Sequence, residues 1–155
     1  MLPKNLLCFS PIRWDFTMYR PQQLLVRFAE YTNVYFFEDP IFDADDKPFL
    51  TYSTRSETLW KLVPHLVPCA TPENVVRSLT LLLDQFLEKA NMDKWAFWFY
   101  TDRPLVFTEK YKPKVVIYDQ IPEEDGKSDW NSVFSSVREQ IKNHIATSGV
   151  IELAP

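Results

Sequence analysis

Five side chains between residues 13 and 20 are of the types that bind polar ligands. They are Arg13, Trp14, Asp15, Tyr19 and Arg20. Arginine recognises oxyanions with paired N–H groups, aromatic rings offer apolar faces with a polar edge, and a carboxylate can accept a proton from a hydroxyl group. The segment therefore has the chemistry of a recognition loop. The alternative is that Arg13 and Asp15 pair locally while Trp14 covers the core edge, because structural ion pairs also cluster charges.

The flanking sequence predicts where this loop lies. Leu6–Phe9 is a short apolar run, typical of a buried parallel strand, and Pro21 suits the first turn of a helix because no N–H partner is needed there. In open α/β sheets, ligands bind at the carboxyl ends of the strands. We therefore expect the loop at the binding edge of such a sheet.

A strand–helix–strand unit opens the chain. The helix over 21–31 is predicted to turn Leu24, Leu25, Phe28 and Ala29 inward and Gln22, Gln23, Arg27 and Glu30 outward. A second buried strand, 34–37, ends at Glu38 and Asp39. Right-handed crossovers bring both strand ends to one edge, so these acids should lie near Arg13 and Asp15.

The rest of the chain continues the alternation of strands and helices. The patterns predict a hairpin or a pair of edge strands over 49–55 and 58–63, a helix over 72–90 capped by Thr71, strands over 95–100 and 115–118, a helix over 130–145 and a short strand over 150–153. Tyr100, Thr101 and Asp119 would then reach the same edge as the first loop. We predict a three-layer, Rossmann-like α/β domain with a mainly parallel sheet.

Composition bounds the class of protein. The chain has 155 residues, enough for one domain, and we expect a single domain over 1–155. Its 46% hydrophobic and 15% aromatic content excludes a disordered chain. The net charge of −4 is spread along the sequence without a basic stripe, so a nucleic-acid partner is not expected.

Glycine and cysteine exclude further classes. The two glycines, Gly126 and Gly149, cannot build a P-loop or a dinucleotide fingerprint, and no cofactor is expected. The two cysteines, Cys8 and Cys69, have no metal-binding spacing. No apolar run approaches the roughly 20 residues that span a bilayer. We expect a cytoplasmic protein that in its full-length form can lie peripherally at the inner membrane.

Two polar features outside the first loop have side chains that could form a site. Asp43, Asp45 and Asp46 lack the turn glycine and the closing carboxylate of a familiar calcium loop, so no metal is expected there. His65 stands between two prolines, and a rigid loop there can hold its ring toward a ligand, although it can equally bond the neighbouring backbone. Asp15 with Asp119 or with Glu38 could form a carboxylate pair of the glycosidase kind.

Four segments, in order, resemble the opening of bacterial two-domain GT-B glycosyltransferases. The first is S-P-I-R-W-D-F-T-M-Y-R-P-Q-Q-L-L-V-R-F-A from Ser10, followed by V-Y-F-F-E-D-P-I-F from Val34. The others are Val63–Pro68, Trp98–Thr101 and Val116–Asp119, similar to the family's V-x-P-H-L-x-P, W-F-Y-T and V-x-Y-D. A similar segment occurs fused ahead of a UDP-galactopyranose mutase in some bacteria.

This resemblance implies the acceptor-side, amino-terminal half of such an enzyme. Within it, Asp15 is the residue to which a general-base role would fall, and a saccharide acceptor would contact the remaining candidates. These are Arg13, Trp14, Tyr19, Arg20, His65, Tyr100, Thr101 and Asp119. The sugar-nucleotide donor would be held by a carboxyl-terminal domain beyond Pro155, so the isolated chain is expected to be inactive.

Two rival interpretations belong to other classes. One is a non-catalytic module that keeps the fold and binds a glycan or a protein through its aromatic-rich cleft. The other is a phospho-receiver domain, which requires an acidic pair after the first strand, where Ser10 and Pro11 stand instead. We therefore favour a domain of a glycosyltransferase of cell-surface polysaccharide synthesis.

Overall fold

The computed structural model describes residues 3–15, 20–68, 70–119 and 151–152. These residues form strands and helices that alternate along the chain. The strands are β1 (Asn5–Ser10), β2 (Asn33–Glu38), β3 (Phe49–Ser56), β4 (Leu59–His65), β5 (Trp95–Phe99), β6 (Val115–Tyr118) and β7 (Ile151–Glu152). The helices are α1 (Arg20–Phe28), α2 (Pro72–Phe86) and α3 (Leu105–Thr108), with a 3₁₀ turn at Met92–Lys94.

The described strands form one sheet in the order β3-β4-β2-β1-β5-β6-β7. Strand β1 is central and pairs in parallel with β2 and β5, and the pairs β2–β4, β5–β6 and β6–β7 are also parallel. The hairpin β3–β4 is antiparallel and places β3 at the edge. The prediction of a mainly parallel, Rossmann-like sheet with an edge hairpin is confirmed.

Helices cover both faces of the sheet because β1 is apolar on both. Successive strand residues point to opposite faces. Cys8 packs on one side with Leu25 of α1, and Phe9 packs on the other with Leu79 of α2. Phe9 also stacks on Phe99, with 5.0 Å between ring centroids. The arrangement is the predicted three layers.

Helix α2 begins where the sequence indicates. Thr71 is its N-cap, and its hydroxyl accepts a hydrogen bond from the Asn74 backbone N–H at 3.3 Å. Pro72 occupies the first turn, where its missing N–H has no consequence. In the part of the chain that the structure describes, no helix combines the length and hydropathy that crossing a bilayer demands.

Two predicted positions are wrong. Gln22 is fully buried rather than on the outer face of α1, because the loop after β1 folds over it and the Arg13 carbonyl accepts its side-chain N–H at 3.4 Å. His65 is the last residue of β4, paired with Phe49, and not part of a loop. The predicted helix over 130–145 lies outside the described residues.

Candidate functional site

The carboxyl edge of the sheet gathers the described residues that follow β1, β2, β5 and β6. The Tyr100 backbone N–H donates to the Phe9 carbonyl at 2.9 Å, and the Asp119 N–H donates to the Phe99 carbonyl at 2.8 Å. These bonds continue the parallel pairing just past the strand ends. Tyr100 and Asp119 are therefore held in fixed register at this edge.

A buried carboxylate fastens the first loop to the end of β2. Glu38, only 3% exposed, accepts hydrogen bonds from Arg13 Nη1 at 3.3 Å and from the Trp14 backbone N–H at 2.8 Å. Arg13 also donates to the carbonyl oxygens of Asp39 and Pro40. The predicted proximity of Glu38 to Arg13 is confirmed. The alternative of a local pair between Arg13 and Asp15 is wrong, since each has other partners.

A second ion pair links β2 to the loop after β5. Arg103 is buried, and its Nη1 lies 3.3 Å from Asp39 Oδ2. The Arg103 backbone N–H donates to Thr101 Oγ1 at 3.5 Å. The sequence placed both loops at one edge, but it did not single out Asp39 or Arg103 as site residues. Their only signal was their position directly after predicted strands.

Three of the predicted acceptor-binding residues, Tyr100, Thr101 and Asp119, are fully buried. The Tyr100 ring packs against Trp98, with 5.7 Å between centroids. Burial, and secondarily the charge of Asp119, raises the pKa of the Cys8 thiol. These three residues therefore lie beneath the accessible surface at this edge, and they are called the floor of the site below.

Asp15 has partners that the sequence did not indicate. Its two carboxylate oxygens accept from Arg55 Nε at 3.0 Å and Nη2 at 2.7 Å, and Lys61 Nζ lies 2.7 Å from Oδ2. The hydrogen bonds from Lys61 and Arg55 lower the pKa of Asp15 below its ordinary value. A carboxylate held in this way is a weak proton acceptor while the contacts persist. The preceding Trp14 packs edge-on against Phe36, at 5.0 Å.

The carboxylate pair of Asp15 and Asp119 is not supported by this geometry. Lys61, which holds Asp15, lies on β4, whereas Asp119 follows β6. Four strand spacings separate β4 from β6, which corresponds to roughly 19 Å of sheet. Glycosidase carboxylates lie only about 5–10 Å apart.

His65 is held by the chain's own groups. Its Nδ1 lies 2.7 Å from Asp43 Oδ1, its Nε2 lies 3.0 Å from Thr51 Oγ1, and its ring stacks on Phe49 at 4.5 Å. Across the described ranges, no three His, Cys, Asp or Glu side chains are grouped as metal ligands. Tyr19 lies outside the described residues, and Arg20 is described only as the first backbone position of α1.

The fold and this edge define a Rossmann-like α/β domain, and comparisons with known proteins agree at the level of fold. No protein-family model matches the chain. No curated protein matches it either. Among solved structures, it is similar to trehalose-6-phosphate synthase from Escherichia coli bound with UDP-2-fluoro glucose, with a TM-score of 0.50 and 9% identity over 84% of this chain. It is similar to α,α-trehalose 6-phosphate synthase from Burkholderia multivorans, with a TM-score of 0.51 and 8% identity over 94% of this chain.

Both of these proteins are GT-B glycosyltransferases. The chain spans 37% and 38% of their respective lengths. At such low identity the likeness is one of fold. The chain therefore shares the fold of a part of these longer enzymes.

Proposed function

We propose that the chain is the acceptor-side domain of a two-domain GT-B glycosyltransferase of bacterial cell-surface polysaccharide synthesis. The observation that carries this proposal is the likeness in fold to two GT-B enzymes. The chain spans 37% and 38% of their lengths, which is about the share of one domain in a two-domain protein. The ionic loops at the carboxyl edge support it, because ligands of open α/β sheets bind there. The protein would work in the cytoplasm or at the inner face of the membrane.

The saccharide acceptor would bind above the floor formed by Tyr100, Thr101 and Asp119. The ion pair of the buried Glu38 with Arg13 would hold the loop that carries Trp14 in one position, so that little ordering is needed when the ligand binds. The residues proposed to line or support the acceptor site are Arg13, Trp14, Tyr19, Arg20, His65, Tyr100, Thr101 and Asp119. A carboxyl-terminal domain would hold the sugar nucleotide.

Asp15 is the proposed general base, and its ion pairs add a condition to that role. Its lowered pKa makes it a poor acceptor for a hydroxyl proton while Arg55 and Lys61 hold it. Asp15 would therefore act only after its carboxylate leaves the two cations. Asp15 would thus hold the loop in place while it is paired with the two cations, and it would act as a base once it is released from them.

The test of this role is Asp15→Asn in the full-length enzyme. Loss of a general base lowers the rate about 10²- to 10⁴-fold, while the melting temperature should change little because the side chain is half exposed. Asp84→Asn is the matched control, since Asp84 is also a lysine-paired carboxylate and lies far along the chain. A variant of Asp15 with the wild-type rate would remove the base from the proposal.

The isolated chain gives a second test. Without a donor domain, and with no glycine-rich phosphate loop, it should show no turnover and no tight affinity for UDP- or GDP-sugars. Isothermal titration calorimetry measures this directly. Micromolar binding of a sugar nucleotide would move the donor site to this domain and contradict the acceptor-side assignment.

A second candidate function is a non-catalytic module that binds a glycan or a protein. It is favoured because the ionic side chains of the site pair with one another. The pKa of Asp15 is also lowered by its own cation partners, which suits a structural carboxylate better than a general base. The full-length protein separates the two candidates. Saccharide binding without turnover would favour the module, and the downstream reading frame would show whether a donor domain or a UDP-galactopyranose mutase follows.

A further inference from the structure

Three charged side chains from separate parts of the chain meet beside the β3–β4 hairpin. Arg55 presents Nε and Nη2 to the two oxygens of Asp15, and Lys61 Nζ contacts one of the same oxygens. The cations are the more enclosed partners: the side chains of Arg55 and Lys61 are 26% and 21% exposed, against 47% for Asp15. Two positive charges are thus fixed around one loop carboxylate.

The hairpin, rather than the loop, sets the geometry of the two cations. Lys61 is paired with Ser53 in the antiparallel ladder, and the register shifts between Thr54 and Ser56, which makes Arg55 the extra residue of a bulge. Bulges re-aim side chains and are frequent beside functional sites. The positions of both cations are therefore built into paired strands, whereas Asp15 belongs to the segment that follows β1.

We propose that Arg55 and Lys61 form an oxyanion-binding site that Asp15 fills in this structure, and that a carboxylate or phosphate group of a ligand takes the same place when Asp15 withdraws. A guanidinium with two parallel N–H groups, joined by an ammonium, is the donor set that carboxylates and phosphates prefer. The bound carboxylate of Asp15 shows that an oxyanion fits. The site adjoins the proposed acceptor site, because Asp15 is the general base proposed there, but the binding of an oxyanion to Arg55 and Lys61 does not depend on sugar transfer.

Asp15 acts as an internal competitor of the external anion. An exposed ion pair favours the Asp15-occupied form of such a site over the unoccupied form by a factor of a few. The apparent affinity for an external ligand falls by the same factor. Removing the charge of Asp15 while keeping its size should therefore raise the affinity for an external anion about fivefold. Anion binding would also release Asp15.

The experiment is an NMR titration of the 155-residue chain with inorganic phosphate, in which the chemical shift of the Arg55 Nε–H reports binding. Asp15→Asn should bind phosphate about fivefold more tightly than the wild type. The matched control is Asp84→Asn, which frees Lys110 from an ion pair of the same 2.7 Å length but without an arginine. Its phosphate affinity should equal that of the wild type. Equal affinities of Asp15→Asn and wild type would overturn the proposal, as would a gain in Asp84→Asn of the same size.

Two further measurements assign the cations and the anion. In the Asp15→Asn background, Lys61→Gln should abolish most of the phosphate shift of Arg55 Nε–H, and Arg55→Gln should abolish most of the phosphate shift of the Lys61 backbone N–H. Lys110→Gln should leave both shifts unchanged. An equal loss in Lys110→Gln would show non-specific screening and contradict the site. Acetate separates the ligand sources: a response to phosphate alone identifies a phosphate-bearing ligand, and a response to both identifies carboxylates as well. A response to neither overturns the site.

Discussion

Two ionic clusters in the described residues, one at the carboxyl edge and one at the hairpin, differ in which partner is enclosed. At the carboxyl edge the anion is buried, with Glu38 at 3% exposure against 24% for Arg13. At the hairpin the cations are enclosed and the anion, Asp15, is half exposed. The edge cluster also involves backbone groups, since Glu38 accepts the Trp14 N–H and Arg13 donates to two carbonyl oxygens. Asp15 is bonded only by side chains in the described structure.

This difference separates a contact that fixes the loop from one that can exchange. A buried carboxylate has no water to replace the charge-assisted hydrogen bonds that it makes, so weakening those bonds is strongly destabilising. A half-exposed carboxylate that leaves its partners regains water at once, so its ion pair contributes little. Glu38 therefore determines where the first loop lies, and Asp15 determines what else can reach the hairpin cations.

The largest predicted effect on stability is that of Glu38→Gln. The amide keeps the size of the side chain but weakens the buried hydrogen bonds from Arg13 and from the Trp14 N–H, and we expect the free energy of unfolding to fall by about 2–3 kcal/mol. Urea unfolding followed by tryptophan fluorescence measures it. The control is Glu57→Gln in the exposed hairpin turn, which should stay within about 0.5 kcal/mol. Equal effects of the two variants would show that burial does not distinguish the clusters.

An intermediate effect is expected for Asp39→Asn. Its carboxylate is less enclosed than that of Glu38, at 17% exposure, and it faces the buried Arg103. The amide oxygen can still accept the Arg103 N–H, so the loss should be about 1–2 kcal/mol. Asp46→Asn, in an exposed loop, is the control and should be neutral. A loss larger than that of Glu38→Gln would reverse the order that burial predicts.

The fold could be predicted because its signals are local. The run Leu6–Phe9 is apolar at every position, a pattern typical of a strand that is covered on both faces. Thr71 with Pro72 marks the start of a helix independently of the rest of the chain. Right-handed crossover then places the loops at one edge. Fold class, hairpin and the neighbourhood of Arg13 and Glu38 followed from these rules.

The partners within the site could not be predicted, because they depend on contacts between distant segments. Asp15 is separated from Arg55 by 40 residues and from Lys61 by 46, and nothing local selects these cations among the 17 basic residues of the chain. Gln22 follows the outer phase of α1 and is buried only because a loop crosses it. The two prolines that flank His65 predict a loop, yet Pro64 fits in β4, where its carbonyl accepts the Ile41 N–H.

The smallest predicted effect concerns Asp15, and it gives the comparison its sharpest test. The pKa of Asp15 is lowered in the folded protein by hydrogen bonds from Lys61 and Arg55. A group with a lowered folded-state pKa stabilises the protein above its unfolded pKa, about 3.9 for an aspartate, and that contribution is lost as the pH falls through the folded value. At the exposure of Asp15, the contribution should be about 0.2–1 kcal/mol at pH 7.

Asp15→Asn should therefore be less stable than the wild type by this small amount at pH 7, and the two should converge as the pH falls from about 4 through the lowered pKa of Asp15. Roughly 1 M salt should remove most of the difference at pH 7, because exposed charges are screened. Glu38→Gln should keep its deficit in the same salt, since water and ions do not reach a buried pair as readily. If Asp15→Asn instead lost as much stability as Glu38→Gln and kept that loss in salt, Asp15 would be a fixed part of the fold. The hairpin cations would then have no place for another anion.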